Sequence, residues 1–162
     1  MSEQPPDPAN LPKVVADDET IVRAIMTPKH LKRGGVRWQA LKPPRESSDV
    51  SVMRQIAGDC YCKTRGAHIG SRAEPKDTYD GLLVVCATNI RTNGAEIRDS
   101  REVWIGHADL DYHVVVPLDD PPEEGDYKVL LDRIKAILKT SLYHRDPAPK
   151  VAGWSGPPLK MP

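Results

Sequence analysis

Residues 106–116, with the sequence GHADLDYHVVV, contain the densest group of side chains in this chain that could do chemistry. Two histidines and two aspartates occupy alternate positions: His107, Asp109, Asp111 and His113. Because successive side chains of a β-strand point to opposite faces, a strand here would place all four on one face. Imidazole and carboxylate groups are ligands of zinc and of non-haem iron, so one interpretation is a site for a divalent transition metal.

The same alternation has a simpler interpretation. A half-buried antiparallel strand directs apolar side chains to the core and polar ones to water, and the even positions from 108 to 114 are apolar. On that interpretation the strand needs no cofactor. On the metal interpretation, His107, Asp109 and His113 would be ligands, and Asp111 would orient a ligand or act as a base toward a metal-bound water.

A second candidate set consists of Cys60, Cys62 and His68, with Cys86 farther along the chain. Paired zinc-binding cysteines are usually separated by two to four residues, and Cys60-Tyr61-Cys62 has only one. Buried free cysteines behave as small apolar residues, so core thiols are the favoured interpretation. The polar start of the chain and its three cysteines predict a cytoplasmic setting with reduced thiols.

The charges are segregated along the chain although they cancel overall. The 162 residues include 23 Lys and Arg and 23 Asp and Glu, and this balance argues against a uniformly basic nucleic-acid coat protein. The net charge is −4 over residues 1–19, +8 over 20–76, −9 over 77–126 and +5 over 127–162. Either the basic and acidic strands neutralise each other within one sheet, or the folded protein keeps a positive and a negative surface to which partners bind.

Two places in the sequence are candidates for binding a partner. One is a basic cluster near a tryptophan, and the other is a tryptophan in the tail; together they comprise Lys29, Lys32, Arg33, Arg37, Trp38 and Trp154. Such a basic cluster suits the phosphates of a nucleic acid or an acidic protein surface. Trp154 either contacts a partner or packs on its own domain.

The hydrophobic pattern predicts an α+β fold: a mostly antiparallel sheet with one long C-terminal amphipathic helix packed on it. Apolar residues recur at helical spacing over about 123–143, after an Asp120-Pro121 start signal. Strands are predicted near 20–26, 36–41, 49–53, 81–90 and 103–118, with short helices after Thr27-Pro28 and near 56–64. Asn93-Gly94 predicts a hairpin turn that pairs Ile90 with Ile97.

The distribution of proline and charged residues along the chain predicts the domain organisation. Residues 1–19 are acidic and proline-rich and are predicted to form a flexible arm. Residues 20–145 form a single α+β domain, and residues 146–162 form a second proline-rich tail. No apolar run approaches the roughly 20 residues that cross a membrane, so no membrane partner is expected.

The sequence carries no complete catalytic motif: it has no Gly-x-Gly-x-x-Gly, no phosphate-binding P-loop and no His-Glu-x-x-His. The leading expectation is therefore a non-enzymatic protein-binding or adaptor component of a larger assembly, with a protein partner. The first alternative is a metal-dependent hydrolase that uses the His107–His113 strand. The second is a nucleic-acid-binding module that uses the basic region 20–76.

Overall fold

A six-stranded antiparallel sheet forms the centre of the fold. The computed structural model describes residues 6–71, 77–119 and 121–162. Its strands and helices are, in chain order, β1 (Thr20–Thr27), β2 (Leu31–Lys32), β3 (Gly35–Val36), β4 (Asp49–Arg54), α1 (Asp59–Ser71), β5 (Thr78–Cys86), α2 (Ala87–Thr92), β6 (Glu96–Asp99), β7 (His107–Asp111), α3 (Gly125–Lys139) and β8 (Leu142–Arg145). Short 3-10 helices occur at Pro8–Asn10, Trp38–Leu41 and Gln55–Ala57.

The strand order of the main sheet is β6-β7-β4-β1-β5-β8, and every pairing in it is antiparallel. Strands β2 and β3 form a separate two-stranded ribbon. The predicted α+β class is therefore confirmed. No helix in the described ranges is long and apolar enough to cross a membrane.

Helix α3 covers one face of the sheet. Leu130, Ile134 and Ile137 recur every three or four residues, so they share one side of the helix, and all three are fully buried. They pack with the strand residues whose side chains point to that face, including Val52 and Leu110. The predicted C-terminal helix is thus confirmed; it begins at Gly125 and ends at Lys139. The predicted start signal at Asp120 lies outside the described residues.

The opposite face is also covered, by α1 and the C-terminal segment, whereas the sequence predicted only one covering helix. Glycines let α1 approach the sheet closely: a Cβ on Gly70 would lie 2.7 Å from Cβ of Tyr79. The buried Lys63 ammonium pairs with Asp146 at 2.7 Å and donates to three backbone carbonyls of residues 148–153. This one cation fixes the start of the C-terminal segment to α1.

Four local predictions are wrong. Residues after Cys86 form α2 rather than a continued strand, so Asn93-Gly94 does not close a hairpin, and β6 pairs with β7. Ile90 lies in α2, and the helix places its side chain fully buried among core residues. The predicted strand at 36–41 is the 3-10 helix Trp38–Leu41, and Thr27-Pro28 begins a turn rather than a helix.

The N-terminal segment contacts the sheet through Arg54, which has no exposed surface. Its guanidinium pairs with Glu19 and with Asp99, each at 2.7 Å, and donates to the carbonyl of Pro12. Leu11 and Val15 are buried as well. The flexibility predicted for residues 1–19 stays a prediction.

The sheet opens between β1 and β4. The two strands pair at Ile21–Arg54 and Val22–Met53, and beyond Val22 strand β1 is paired on its other side with β5 alone. Strand β4 meanwhile pairs with β7 along its length from Asp49 to Met53. Arg23, the next residue of β1, therefore lies at the opening, and its guanidinium donates to the Ser51 carbonyl across it at 2.9 Å.

Candidate functional site

Two adjoining cavities lie at the opening between β1 and β4, and they share Arg23, Lys29 and His30. The first, which we call the Trp104 cavity, has a volume of about 620 Å³ and is also bordered by α1 and the β6–β7 loop. The second, which we call the Pro44 cavity, has a volume of about 560 Å³. We call the two together the basic groove. Its charged lining residues are Arg23, Lys29, Lys42, Arg45, Arg65, Asp49 and Asp77.

Arg23 is fixed at the junction of the two cavities. Its Nε donates to the carbonyl of Ala40 and its Nη1 to the carbonyl of Ser51, both at 2.9 Å. Burial lowers the pKa of Arg23 to about 10, a shift that the phenol of Tyr112 opposes, so the guanidinium stays protonated at neutral pH. None of the ion pairs between described residues includes Arg23, Lys29 or Lys42.

His30 borders both cavities and is neutral at physiological pH. Its side chain is buried, and its Nδ1 accepts a hydrogen bond from the Met26 amide at 3.1 Å. Burial, followed by the positive charges of Arg23 and Lys29, lowers the pKa of His30 to about 4, while Asp77 opposes the shift. An unprotonated Nδ1 is what the Met26 hydrogen bond requires.

This burial predicts a pH-dependent loss of stability. The unfolded chain binds a proton at His30 near pH 6.5, whereas the folded protein does so only near pH 4, so stability present above pH 6.5 is lost as the pH falls between these values. The His30 contribution amounts to about 3 kcal/mol. We expect His30→Gln to flatten the pH dependence of the unfolding free energy, measured by urea denaturation from pH 7 to pH 4. An equally steep decline in the variant would contradict this assignment.

Trp104 and Arg65 form part of the wall of the Trp104 cavity. The Arg65 guanidinium lies 4.2 Å from the Trp104 ring centroid, and Tyr61 and His107 contact the same indole edge-to-face, at 6.1 and 5.0 Å between centroids. Arg65 Nε is buried and has no hydrogen-bond acceptor among the described residues. The wall therefore presents an aromatic surface together with a cation whose donor is unused.

The structure brings three of the four predicted metal-site residues onto one face of β7. His107, Asp109 and Asp111 lie opposite Met53, Ser51 and Asp49 of β4 in register, so these side chains share the face that α1 partly covers. The strand ends at Asp111, and His113 follows it with a φ of 60°, outside the alternation. Its Nδ1 lies 3.5 Å from an Asp111 oxygen.

Each acid on this face has a different environment. Burial would raise the pKa of Asp111, but hydrogen bonds from the His113 amide and from Arg98 lower it on balance. Burial, and then the negative charge of Asp49, raise the pKa of Asp109. No group of three or more His, Cys, Asp or Glu residues in the described part of the chain is arranged to hold a metal ion by itself.

A hydroxyl, an imidazole and a carboxylate meet at Ser100, His107 and Asp109, but they do not form a nucleophilic triad. Ser100 Oγ hydrogen-bonds His107 Nδ1, and Asp109 lies 3.9 Å from the same nitrogen. A triad requires the hydroxyl and the carboxylate on opposite ring nitrogens, so that a proton passes through the ring. Burial also lowers the pKa of His107, with Asp109 opposing the shift, so the imidazole is a buried, neutral group.

The predicted partner-binding residues separate in the structure. Lys29 lines the basic groove, whereas Lys32 and Trp38 border a different cavity of about 300 Å³ beside α3. Arg33 is exposed in the turn between β2 and β3, and Arg37 is half-buried just before the 3-10 helix that holds Trp38.

Trp154 packs on its own domain, with 5% of its surface exposed. Its Nε1 donates to the carbonyl of Pro157 at 2.7 Å. A contact between Trp154 and a partner would require the C-terminal segment to leave α1.

The cysteines are dispersed through the fold. Cys60 and Cys62 are both buried, and Cys60 Sγ accepts from the Trp154 amide at 3.5 Å. Burial, followed by the charge of Asp59, raises the pKa of the Cys62 thiol, which disfavours the thiolate that binds metals. Cys86 lies at the end of β5, and His68 is exposed at the Trp104 cavity.

Sequence reasoning missed Arg23, Arg65 and Asp77 as site residues. They come from β1, from α1 and from the residue before β5, so no local spacing connects them. The excess of basic residues between positions 20 and 76 was the one signal that pointed to Arg23 and Arg65, and no signal pointed to Asp77. No protein-family model, no curated protein and no solved structure matches this chain.

Proposed function

We propose that the protein binds single-stranded nucleic acid along the basic groove. The observation that carries the proposal is the lining of the two cavities: five Arg and Lys side chains against two aspartates. Phosphate groups are the ligands that such a concentration of cations attracts, because each contact releases a counterion from the nucleic acid.

Among the described residues of the acidic stretch 77–126, Asp77 provides the one carboxylate in the lining of this groove, and the other carboxylates of that stretch do not neutralise it. These carboxylates pair elsewhere: Asp99 with Arg54 and Arg101, Glu96 with Arg91, and Asp111 with Arg98. Arg23, Lys29 and Lys42 are left out of the ion pairs between described residues. The lining of the groove therefore has an excess of positive charge although the chain as a whole is neutral.

The shape favours a single strand over a duplex. Each cavity has the volume of a small-molecule site, which suits one or two nucleotide units, and the Trp104 wall offers a ring for a base to stack on. A duplex is usually read by a helix or ribbon that protrudes into a groove. The basic groove is concave, so it suits an extended strand with unstacked bases.

The direct test is binding of a fluorescent dodecathymidylate, followed by anisotropy. Lys29 and Arg45 are exposed, so replacing both by glutamine removes two groove charges with little effect on packing. We expect the Lys29→Gln/Arg45→Gln variant to bind roughly tenfold more weakly. The matched control is Lys150→Gln/Lys160→Gln, which removes two exposed charges that line neither cavity. Equal losses in both variants, or no binding by the unmodified protein, would refute the proposal.

The adaptor function expected from the sequence receives less support. It depended on the basic stretch 29–37 as one surface and on Trp154 in the tail. The basic stretch is divided between two cavities, and Trp154 is buried.

A second candidate is a metal-dependent hydrolase that acts on the bound strand. The observation that favours it is that Asp109 and Asp49 lie diagonally across β7 and β4 on one face of the sheet, and that Asp49 lines the Pro44 cavity. Burial, and then the charge of Asp49, raise the pKa of Asp109. A cation between these carboxylates would relieve their repulsion. Mg²⁺ is often bound through one or two carboxylates together with substrate phosphates, so a complete protein cage is not required. Such an ion would activate a water toward a phosphodiester held in the groove.

Asp109→Asn tests this candidate. With an end-labelled single-stranded oligonucleotide and Mg²⁺ or Mn²⁺, we expect cleavage by the unmodified protein and a loss of roughly a hundredfold or more in the variant. The matched control is Asp119→Asn, the same change at an exposed position. No metal-dependent cleavage by the unmodified protein, or equal rates for the two variants, would exclude the hydrolase and leave the binding function in place.

A further inference from the structure

Two residues that line the Trp104 cavity each have a buried polar side-chain atom without a hydrogen-bond partner among the described residues. One is the acceptor Oδ1 of Asp77, a residue with 7% of its surface exposed, and the other is the donor Nε of Arg65. Neither atom has a hydrogen-bond partner among the described residues. Because leaving a buried polar group unsatisfied costs free energy, such atoms in a cavity indicate a ligand with complementary groups.

A phosphate alone does not explain Asp77. An ionised carboxylate only accepts hydrogen bonds, and it repels the phosphate that Arg23, Lys29 and Arg65 attract. The ligand must therefore bring N–H or O–H donors to one part of the cavity and an anion to another. A nucleotide has this division, with donors on the base edge and charge on the phosphate.

We propose that the Trp104 cavity is a binding site for a guanine nucleotide unit, with the base edge on Asp77 and the phosphate on the cations. This inference rests on the proposed function and names the base that the groove prefers. Guanine has two adjacent donors, N1–H and N2–H₂, which match the two oxygens of one carboxylate. Adenine and cytosine each place a single amino donor beside an acceptor nitrogen, and thymine places one donor between two carbonyls.

The geometry of the cavity agrees with this assignment. The torsion of an aspartate carboxylate is broad, so rotation about Cβ–Cγ would turn the buried Oδ1 together with Oδ2 toward the base. A volume of about 620 Å³ accommodates one nucleotide. The unused Nε of Arg65 offers a donor to an acceptor such as guanine O6 or a phosphate oxygen.

The test compares dodecathymidylates that carry one central guanine, inosine, adenine or cytosine, each in competition with the unsubstituted strand. We expect guanine to bind roughly five- to a hundredfold more tightly than adenine, the range for one bidentate base contact, with inosine between them because it lacks the N2 amino group. The inosine comparison uses the unmodified protein and does not depend on the folding of a variant. Asp77→Asn should abolish the preference and retain binding to thymidylate, while Asp119→Asn should retain both.

Competition by free GMP against free AMP identifies the source of the nucleotide. If GMP competes as well as the guanine-containing strand does, the cavity binds a free nucleotide. If GMP competes weakly, the cavity binds a guanine within the strand. Either result supports the site. Equal affinity for all four strands, with binding to thymidylate intact, overturns the guanine site. That result is still consistent with binding of a single strand in the basic groove. No binding of any strand or of GMP overturns both.

Discussion

Replacing Arg54 by methionine is expected to lower the free energy of unfolding by about 3–5 kcal/mol, the largest stability effect predicted for a single residue here. Arg54 has no exposed surface, and the two carboxylates that it pairs with are each 6% exposed. Removing the cation leaves Glu19 buried without its ion-pair partner and leaves Asp99 paired with Arg101 alone. Urea denaturation of the purified protein at pH 7 measures the loss.

Further substitutions distinguish the loss of the Arg54 ion pairs from the loss of its packing contacts as the cause of the lower stability. Burial alone would raise the pKa of Asp99, but hydrogen bonds from Arg101 and Arg54 lower it, and Arg101 still favours the ionised carboxylate when Arg54 is lost. Adding Glu19→Gln and Asp99→Asn to Arg54→Met should therefore restore much of the stability. Lys128→Met is the control, because its ion pair with Asp132 is exposed on both sides and its loss should not change unfolding measurably. A triple variant less stable than Arg54→Met would contradict the account of this network.

Replacing Arg23 by methionine is expected to weaken the binding of single-stranded DNA by roughly ten- to a hundredfold, the range for losing a charge-assisted hydrogen bond to phosphate. Arg23 lies where the two cavities meet, and its position is fixed by the carbonyls of Ala40 and Ser51. Anisotropy with dodecathymidylate measures the affinity, and denaturation of the same sample shows whether the variant is folded.

The Arg23→Lys variant tests whether binding depends on the positive charge of Arg23 alone or also on the fixed geometry of its guanidinium. Lysine keeps the positive charge but lacks the planar fork that donates to both carbonyls. We expect it to recover part of the affinity lost in Arg23→Met. A folded Arg23→Met protein that binds as tightly as the unmodified one would remove Arg23 from the binding site.

The elements that were predicted correctly are those with a strong local pattern. Leu130, Ile134 and Ile137 repeat at helical spacing, and the apolar run before Cys86 forms β5, an interior strand of the sheet. The change from β5 to α2 has no glycine or proline to mark it, so residues 81–90 resemble one strand. The pairing of β6 with β7 depends on contacts that local propensity does not encode.

The candidate site was predictable only in part. Period-two alternation placed His107, Asp109 and Asp111 on one face, and their register with β4 agrees with this. The groove itself arises because β1 and β4 separate after Val22, a property of the whole sheet. Arg65 and Asp77 reach it from distant positions in the chain, so the excess of basic charge over 20–76 indicated a site without locating it.

The salt dependence of single-strand binding tests the central claim most directly. If the five cations of the basic groove contact phosphates, the logarithm of the association constant for dodecathymidylate should fall with the logarithm of salt concentration at a slope of roughly −3.5. Lys29→Gln/Arg45→Gln should make the slope shallower by roughly 1.4, and Lys150→Gln/Lys160→Gln should leave it unchanged. A slope near zero for the unmodified protein, or one that the groove substitutions do not alter, would contradict binding of nucleic acid in the basic groove.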